Sequence, residues 1–477
     1  MFRSSWRGAL CLVLTSALAA GCSDDSKPVD AAPGDASVDA PVDAAVDGSV
    51  EAAVDASTDA TPDAGIQSLT FLVYTPGLYG AADKPLDKAW VAFDMPDGTR
   101  IEKQAGVDGK VTFEGIDWTA GSACATASLQ GYDMYSECGL SPARIAKLPP
   151  WSLDNGAVKL ALYELSSPAS PATVTVSGKA KNLTNPTQRY VVNVLRSEVG
   201  TAWQGKGNQS FTVQVPKGKD FVLQAVEADQ ATNLPSGLGF QAKTYKVMQK
   251  AFTALSQDTT GVELDFAADA VTTQTADITV GLPARVDSPL LAAYPNCFVC
   301  NGESTYCNGW STSTEIVPAT NLLKASLVWA APSWATEVQT YCYAYNTSTE
   351  DVSYIYENGY PKAGALGSPM LDVPRWKTPA SAGTPHPLYS PIEWELFDQG
   401  VEVLLNVYKD GNIVWAIALG EDATSATAPK PPSQLDATTF FGSQPLEMRV
   451  FTYVPTTGGV WFDFGRATGS QPRDFTP

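Results

Sequence analysis

The sequence is poor in three features on which many enzymes and nucleic-acid-binding proteins depend. His386 is the single histidine among 477 residues, so it alone would have to serve any Ser-His-Asp triad, Cys-His pair or histidine-based zinc site. Lys and Arg number 31 against 51 Asp and Glu, for a formal net charge of −20, which leaves no basic surface for a phosphate backbone. No apolar run reaches the roughly 20 residues of a membrane-spanning helix. These shortages predict no nucleic-acid partner, no metal and no cofactor.

The chain begins with a pattern typical of protein export. Arg3 and Arg7 precede an apolar run over residues 8–20. That run is too short to span a bilayer, and with its basic start it predicts a secretory signal peptide over residues 1–21.

A cysteine follows the apolar run in a recognisable context. Residues 18–22 read Leu-Ala-Ala-Gly-Cys and resemble a bacterial lipobox, the cleavage motif of bacterial lipoproteins. The resemblance implies that Cys22 is acylated and anchors the protein to a lipid bilayer. Ser23, next to it, favours the outer membrane, at its periplasmic face or at the cell surface. An ordinary signal peptide with an incidental cysteine is the alternative.

Residues 22–65 have the composition of a tether. The stretch after the cysteine holds ten Asp, one Glu and one Lys and no aromatic residue, so it cannot bury enough apolar surface to order itself. Acidic side chains recur at every fourth residue from Asp35 to Asp63, and a helix would stack these like charges. The pattern predicts a disordered acidic linker; a calcium-binding tract is the alternative.

Residues 66–164 change to alternating apolar and polar positions between Gly, Pro and Asp turns. This alternation predicts the strands of a β-sandwich. The five runs are Leu69 to Tyr74, Ala89 to Phe93, Val111 to Phe113, Cys124 to Ser128 and Val158 to Tyr163. The order of Asp97-Gly98, Asp108 to Phe113 and Gly131-Tyr132 resembles the carboxypeptidase regulatory-like family. That resemblance implies a transthyretin-like sandwich that acts as a non-catalytic accessory module.

Two cysteines in this region are placed to form a disulfide. Cys124 and Cys138 are equally distant from Gly131, so a turn there brings them opposite each other on adjacent strands. An exported chain meets oxidising surroundings. Closing about 15 residues contributes about 3 kcal/mol in the chain-entropy model.

Residues 165–286 repeat the β pattern after a short hinge. The hinge, residues 166–171, is rich in Ser and Pro. Further alternating runs follow, the last of them from Ile278 to Val280, and they predict a second β-sandwich.

Residues 287–383 hold four cysteines within a β-rich region. The spacing of Cys297 and Cys300 allows zinc binding, but the second CxxC pair of a zinc ribbon is missing. Export favours two disulfides instead. The sequence selects none of the three pairings among Cys297, Cys300, Cys307 and Cys342.

An aromatic run in the same region is the candidate ligand surface, because aromatic rings beside polar groups stack on sugars. Its members are Trp329, Trp334, Tyr341, Tyr343, Tyr345, Tyr354 and Tyr356. The other interpretation is a core: Tyr341, Tyr343 and Tyr345 alternate as one face of a strand, and strands are rich in aromatic residues in any case. The alternation favours core packing.

Residues 384–477 contain the clearest hairpin in the sequence. Two apolar strands from Val401 to Leu419 flank Lys409-Asp410-Gly411-Asn412, a turn that needs positive φ angles. With Ile392-Glu393-Trp394 before it, the region resembles a fibronectin type III-like sandwich of bacterial surface proteins. Residues 287–477 forming one larger unit is the alternative.

These patterns together predict an all-β protein of tandem β-sandwich domains, transthyretin-like or immunoglobulin-like, behind the acidic linker. The predicted function is non-enzymatic: an envelope module for binding or adhesion to a polysaccharide or an envelope protein. A structural spacer with no small ligand is the second hypothesis. A hydrolase that uses two of Glu393, Glu395 and Asp398 is the third.

Overall fold

A computed structural model of the chain describes residues 68–476 except 78–81, 166–171, 186–188, 196, 198–201, 230–231, 235–238, 286, 302–306, 331–337, 382–384, 456–463 and 471. Cys22 and the predicted linker lie outside the described residues. The described part is an all-β protein of tandem β-sandwiches, as the alternating sequence pattern predicts. Its α-helices are α1 (Pro142–Lys147) and α2 (Ala437–Phe441). None of the described helices has the length and hydrophobicity that a membrane span requires.

Unit 1, residues 68–165, is a sandwich of two sheets around three phenylalanines. Strands β1, β2, β5, β8 and β9 form one sheet, and β3, β4, β6 and β7 belong to the other. The rings of Phe71, Phe93 and Phe113 meet at 4.9–5.9 Å between centroids. The strands are β1 (Ser68–Thr75), β2 (Lys84–Pro85), β3 (Trp90–Asp94), β4 (Arg100–Gln104), β5 (Lys110–Glu114), β6 (Ala123–Ser128), β7 (Met134–Leu140), β8 (Leu153–Asp154) and β9 (Ala157–Ala161).

Unit 2, residues 172–271, has its own core around Phe211, Phe221 and Tyr190. Strands β10, β13 and β18 face a second sheet of β11, β12, β14 and β17. The strands are β10 (Thr173–Lys181), β11 (Arg189–Leu195), β12 (Ala202–Lys206), β13 (Ser210–Pro216), β14 (Phe221–Ala228), β15 (Thr232–Asn233), β16 (Gly239–Gln241), β17 (Thr244–Phe252) and β18 (Thr259–Asp265). The short β16 leaves this core and pairs with β21 of unit 3.

Unit 3, residues 272–373, begins earlier than the sequence suggests. Its strands are β19 (Thr273–Gly281), β20 (Tyr294–Asn301), β21 (Gly309–Val317), β22 (Leu322–Ala330), β23 (Val338–Tyr345), β24 (Val352–Asn358) and β25 (Gly364–Ala365). The run predicted for the second sandwich at Ile278 to Val280 lies in β19, which pairs with β22 in the core of unit 3. The junction at residues 267–272 contains no Pro or Gly, so nothing in the sequence marks it.

Unit 4, residues 374–476, likewise starts before the predicted boundary, because Trp376 belongs to its core. Its strands are β26 (Arg375–Thr378), β27 (His386–Pro387), β28 (Ile392–Glu395), β29 (Glu402–Lys409), β30 (Asn412–Glu421), β31 (Ser425–Ala426), β32 (Leu446–Pro455), β33 (Phe464–Gly469) and β34 (Arg473–Thr476). The predicted hairpin is confirmed as β29 and β30, with Asp410 and Gly411 at φ 48° and 67° in the turn.

The units are joined by strand pairing rather than by free linkers alone. Strand β7 of unit 1 runs parallel to β30 of unit 4, and β24 of unit 3 pairs antiparallel with β33 of unit 4. Through these contacts 19 described strands form one continuous network. Four described 3₁₀ helices, Trp118–Ala120, Pro150–Ser152, Pro289–Ala292 and Pro318–Thr320, lie between strands.

Candidate functional site

The predicted aromatic surface lies mostly in the interior. Tyr343, Tyr354 and Tyr356 are 3%, 1% and 7% exposed. Strands β23 and β24 pair so that Tyr341 lies opposite Tyr356, and the two rings stack with their centroids 4.7 Å apart. Phe451 of unit 4 packs against the same group. These rings form a core between units 3 and 4, in agreement with the core packing that the alternation favours and in contrast to an open sugar-binding face.

The remaining described members of the aromatic run do not form an exposed aromatic face either. Trp329 is buried in the core of unit 3, where it stacks on Tyr360 at 6.0 Å. Tyr345 is half-buried, and Trp334 lies outside the described residues. Burial raises the pKa of the Tyr354 hydroxyl well above its usual range, as expected of a phenol that has lost contact with water.

The predicted disulfides are present, and the open pairing is resolved. Cys297 lies directly opposite Cys342 on β20 and β23, and both are fully buried. The bridges are Cys124–Cys138, Cys297–Cys342 and Cys300–Cys307. The cysteine-rich region is therefore cross-linked by two disulfides.

The residues considered for hydrolysis have structural contacts. Arg375 donates to the Glu395 carboxylate, and Asp398 accepts the backbone N–H of Asp372 at 2.6 Å. Glu393 is exposed on β28. His386 packs edge-on against the ring of a neighbouring phenylalanine. Two of the three carboxylates thus hold neighbouring segments in place.

An open cleft of about 600 Å³ lies between units 2 and 3, and we call it the interunit cleft. One wall is formed by residues 242–247 of unit 2, and the opposite wall comes from β19, β21 and β22 of unit 3. Polar side chains from both units line it, among them Lys243, Thr244, Lys246, Thr275, Asp277 and Ser326.

Hydrogen bonds between the two units fix the walls of the cleft. The indole Nε1 of Trp310 in unit 3 donates to Thr244 Oγ1 in unit 2 at 3.2 Å. The backbone N–H of Ala242 donates to the carbonyl of Thr312 at 2.7 Å. Because both bonds cross the junction, the cleft has walls of defined spacing.

A β-bulge interrupts the strand that forms the wall from unit 2. Thr244 pairs with Ala228 and Lys246 with Glu227, so Tyr245 is an extra residue in the ladder. An extra residue reverses the alternation of faces. Lys243 and Lys246 both line the cleft, together with the other residues of 242–247.

Specific contacts orient the charged groups in the cleft. The Lys246 ammonium donates to the carbonyl of Asn182 at 2.9 Å, and the Lys243 ammonium lies 4.7 Å from the centre of the Tyr245 ring. Across the cleft, Ser326 donates to the Asp277 carboxylate at 2.6 Å. The lining residues therefore include two lysines from unit 2 and hydroxyl and carboxylate side chains from unit 3.

Sequence reasoning missed this cleft because its two walls are distant in the chain. The sequence pattern places the run at Ile278 to Val280 in the second sandwich, and it gives no indication that Thr275 and Asp277 face unit 2. The available signal was the basic segment Lys243 to Lys246, which stands out in a strongly acidic chain.

A second polar cluster holds units 1 and 4 together. The Arg144 guanidinium contacts the Glu137 carboxylate at 2.6 Å and Glu402 of unit 4 at 3.6 Å. Burial raises the pKa of Glu137, and the charge of Arg144 opposes that shift. Tyr135 also donates to Glu137 at 2.8 Å. This cluster is a buried structural contact between units.

Comparisons with known proteins do not identify a family for this chain. No protein-family model matches the sequence, and no curated protein matches it. Among solved structures, a leucine-rich repeat protein from Bacteroides thetaiotaomicron is similar at 11% identity and a TM-score of 0.16, over 42% of this chain and 26% of that one.

Two further structures are similar at the same low level. The Bacillus anthracis TIE protein matches at 8% identity and a TM-score of 0.14, over 64% of this chain and 50% of its own. A candidate adhesin from Bacteroides ovatus matches at 7% identity and a TM-score of 0.14, over 37% of this chain and 73% of its own. The chain thus spans about a quarter of the length of the leucine-rich repeat protein and half of the length of the TIE protein.

Proposed function

We propose that the chain is an exported, lipid-anchored module of the bacterial cell envelope that binds a polysaccharide or protein partner without catalysing a reaction. The interunit cleft carries this proposal, because its polar walls come from two units that are hydrogen-bonded to each other. Concave sites between domains, with a few convergent polar groups, are typical places for ligand binding.

The proposed location is the outer membrane, with the protein held by acylated Cys22. The lipobox-like sequence and Ser23 support this part of the proposal. The acidic linker, whose like charges repel one another, would hold the folded units away from the lipid surface. Two or more acyl chains would make this anchoring stable.

Retention of envelope components on the immobilised full chain tests the proposed function. Polysaccharide and protein fractions are prepared separately from the same cells and passed over the chain at increasing concentration. We expect saturable retention of one fraction. If neither fraction is retained above an unrelated acidic protein, the proposed binding function is wrong.

A structural spacer is the second candidate, and the strand pairing between units favours it. The parallel contact of β7 with β30 turns separate sandwiches into a connected body, as a spacer requires. A spacer would retain neither fraction, and deleting it from the cell would reduce survival of osmotic shock.

A further inference from the structure

We propose that the interunit cleft binds an acidic oligosaccharide, with carboxylates on the sugar facing the two lysines. This inference rests on the proposed binding function and names its ligand class. A volume of about 600 Å³ lies within the range of small-molecule sites, roughly 300–1,000 Å³.

The charges of the unit 2 wall favour an anionic ligand. Lys243 is exposed and Lys246 is half-buried, and both residues line the cleft. The Lys246 ammonium uses one contact on the Asn182 carbonyl, and an ammonium has three N–H donors. In a chain with a net charge of −20, the lining of this cleft carries two lysines against one carboxylate, that of Asp277, so its local charge is positive.

The wall from unit 3 favours a sugar over a simple anion. Thr275 and Asp277 are exposed on β19, and Ser326 is half-buried on the neighbouring β22. Hydroxyl groups both donate and accept, and a carboxylate accepts, so this wall matches the hydroxyls of a sugar ring. Inorganic phosphate would reach the ammonium groups and leave the opposite wall without a partner.

The open shape of the cleft suits a segment of a chain. Lys243, Thr275 and Asp277 are all exposed to solvent while lining the same concavity. A polymer can therefore cross the junction and contact both units at once. Because Trp310 and Thr244 hold these units together, the ligand meets walls that are already in place, which reduces the ordering cost of binding.

Calorimetric titration of the full chain with acidic and neutral probes tests this inference. The acidic probe is an oligogalacturonate, and the neutral probe is a cello-oligosaccharide of the same length. We expect saturable binding of oligogalacturonate and binding of the neutral probe that is about tenfold weaker or more, because the loss of charge-assisted contacts is of that order. Equal affinities for the two probes would overturn the proposal.

Paired lysine variants locate the binding site. K243A/K246A should weaken oligogalacturonate binding about tenfold or more. K179A/K217A removes the same charge from exposed positions of unit 2 outside the cleft and should leave the affinity within about twofold, the size of a remote surface effect. Equal losses in the two variants would mean that net charge and not the cleft is responsible, which would contradict the proposal.

Two further measurements test the sugar contacts at the unit 3 wall and identify a different ligand. T275V keeps every charge and a similar side-chain volume, and the loss of one hydroxyl should weaken binding about threefold to tenfold. Unchanged affinity would count against sugar contacts at this wall.

A poly-glutamate peptide that binds the cleft more tightly than oligogalacturonate would overturn the saccharide assignment. Retention of an envelope fraction without oligogalacturonate binding would do so too while leaving the proposed function intact.

Discussion

At the residue scale, Arg144 lies at the junction of units 1 and 4 and contacts a carboxylate from each unit. Its guanidinium contacts Glu137 and Glu402 and donates to the carbonyl of Cys138. Gly420 makes room for it, since a Cβ there would lie 3.0 Å from the guanidinium carbon. One cation thus compensates two partly or fully buried carboxylates from different units.

We predict that Arg144→Ala lowers the stability of the junction by about 3 kcal/mol, because it leaves the buried Glu137 carboxylate without its cation. Lys147→Ala is the matched control: the Lys147 side chain is 77% exposed in its ion pair, so its loss should cost less than about 0.5 kcal/mol. Denaturant unfolding followed by tryptophan fluorescence measures both. Similar losses of stability in the two variants would show that the buried cluster contributes no more to stability than the exposed ion pair of Lys147.

The pH dependence of Glu402 gives a separate prediction. Burial raises its pKa above the usual 4.5, opposed by Arg144, so the folded chain holds this proton more tightly than the unfolded chain does. The contribution of Glu402 to stability is therefore favourable at low pH and is lost as pH rises through the raised pKa. Glu402→Gln cannot ionise at this position. The melting temperature of the variant minus that of the wild type should therefore increase as the pH rises from 5 to 7. A constant or shrinking difference over that range would contradict the prediction.

At the element scale, the two bridges of unit 3 should differ in importance. Cys297–Cys342 closes a loop with a sequence separation of 45, and Cys300–Cys307 one of 7. In the chain-entropy model these contribute about 4 and about 2 kcal/mol. We therefore expect the C297S/C342S variant to unfold at lower guanidinium concentration than C300S/C307S. The reverse order would mean that native contacts of the short loop outweigh unfolded-chain entropy.

Local features were predictable from the sequence, and distant pairings were not. The hairpin of β29 and β30 was predicted because Asp410-Gly411 encodes its turn locally, and Cys124–Cys138 was predicted because both cysteines flank one turn. The environment of Tyr354 depends on its pairing with Ala467 in β33, more than 100 residues later, and no local pattern specifies that contact. The interunit cleft was missed for the same reason.

At the scale of the whole molecule, the described units form a connected body. Strand β7 pairs with β30, and Arg100 of unit 1 donates to the carbonyls of Lys430 and Pro431 in unit 4 at 2.8 Å. Ser433 donates to Glu102 across the same junction. Units distant in the sequence therefore meet, in contrast to the arrangement in series that the sequence suggests.

Gly139→Ala should loosen this connection. A Cβ at Gly139 would lie 2.6 Å from the backbone oxygen of Leu419 in unit 4, and the residue has φ +68°. Gly98→Ala is the matched control, because Gly98 has φ +84° and no atom within 4 Å of the added Cβ. Both variants carry the backbone strain, about 1 kcal/mol, and only the first carries the clash. Hydrogen exchange across residues 412–421 should accelerate in Gly139→Ala alone; equal exchange in both would contradict the connected body.

We propose that the folded units form a binding module of the envelope. The most direct measurement is a binding isotherm of the labelled, non-acylated full chain on isolated envelopes of its own species, with K243A/K246A measured in parallel. The account predicts saturable binding by wild type and about tenfold weaker binding by the variant. Binding that is absent, or that increases linearly without saturation, would contradict it.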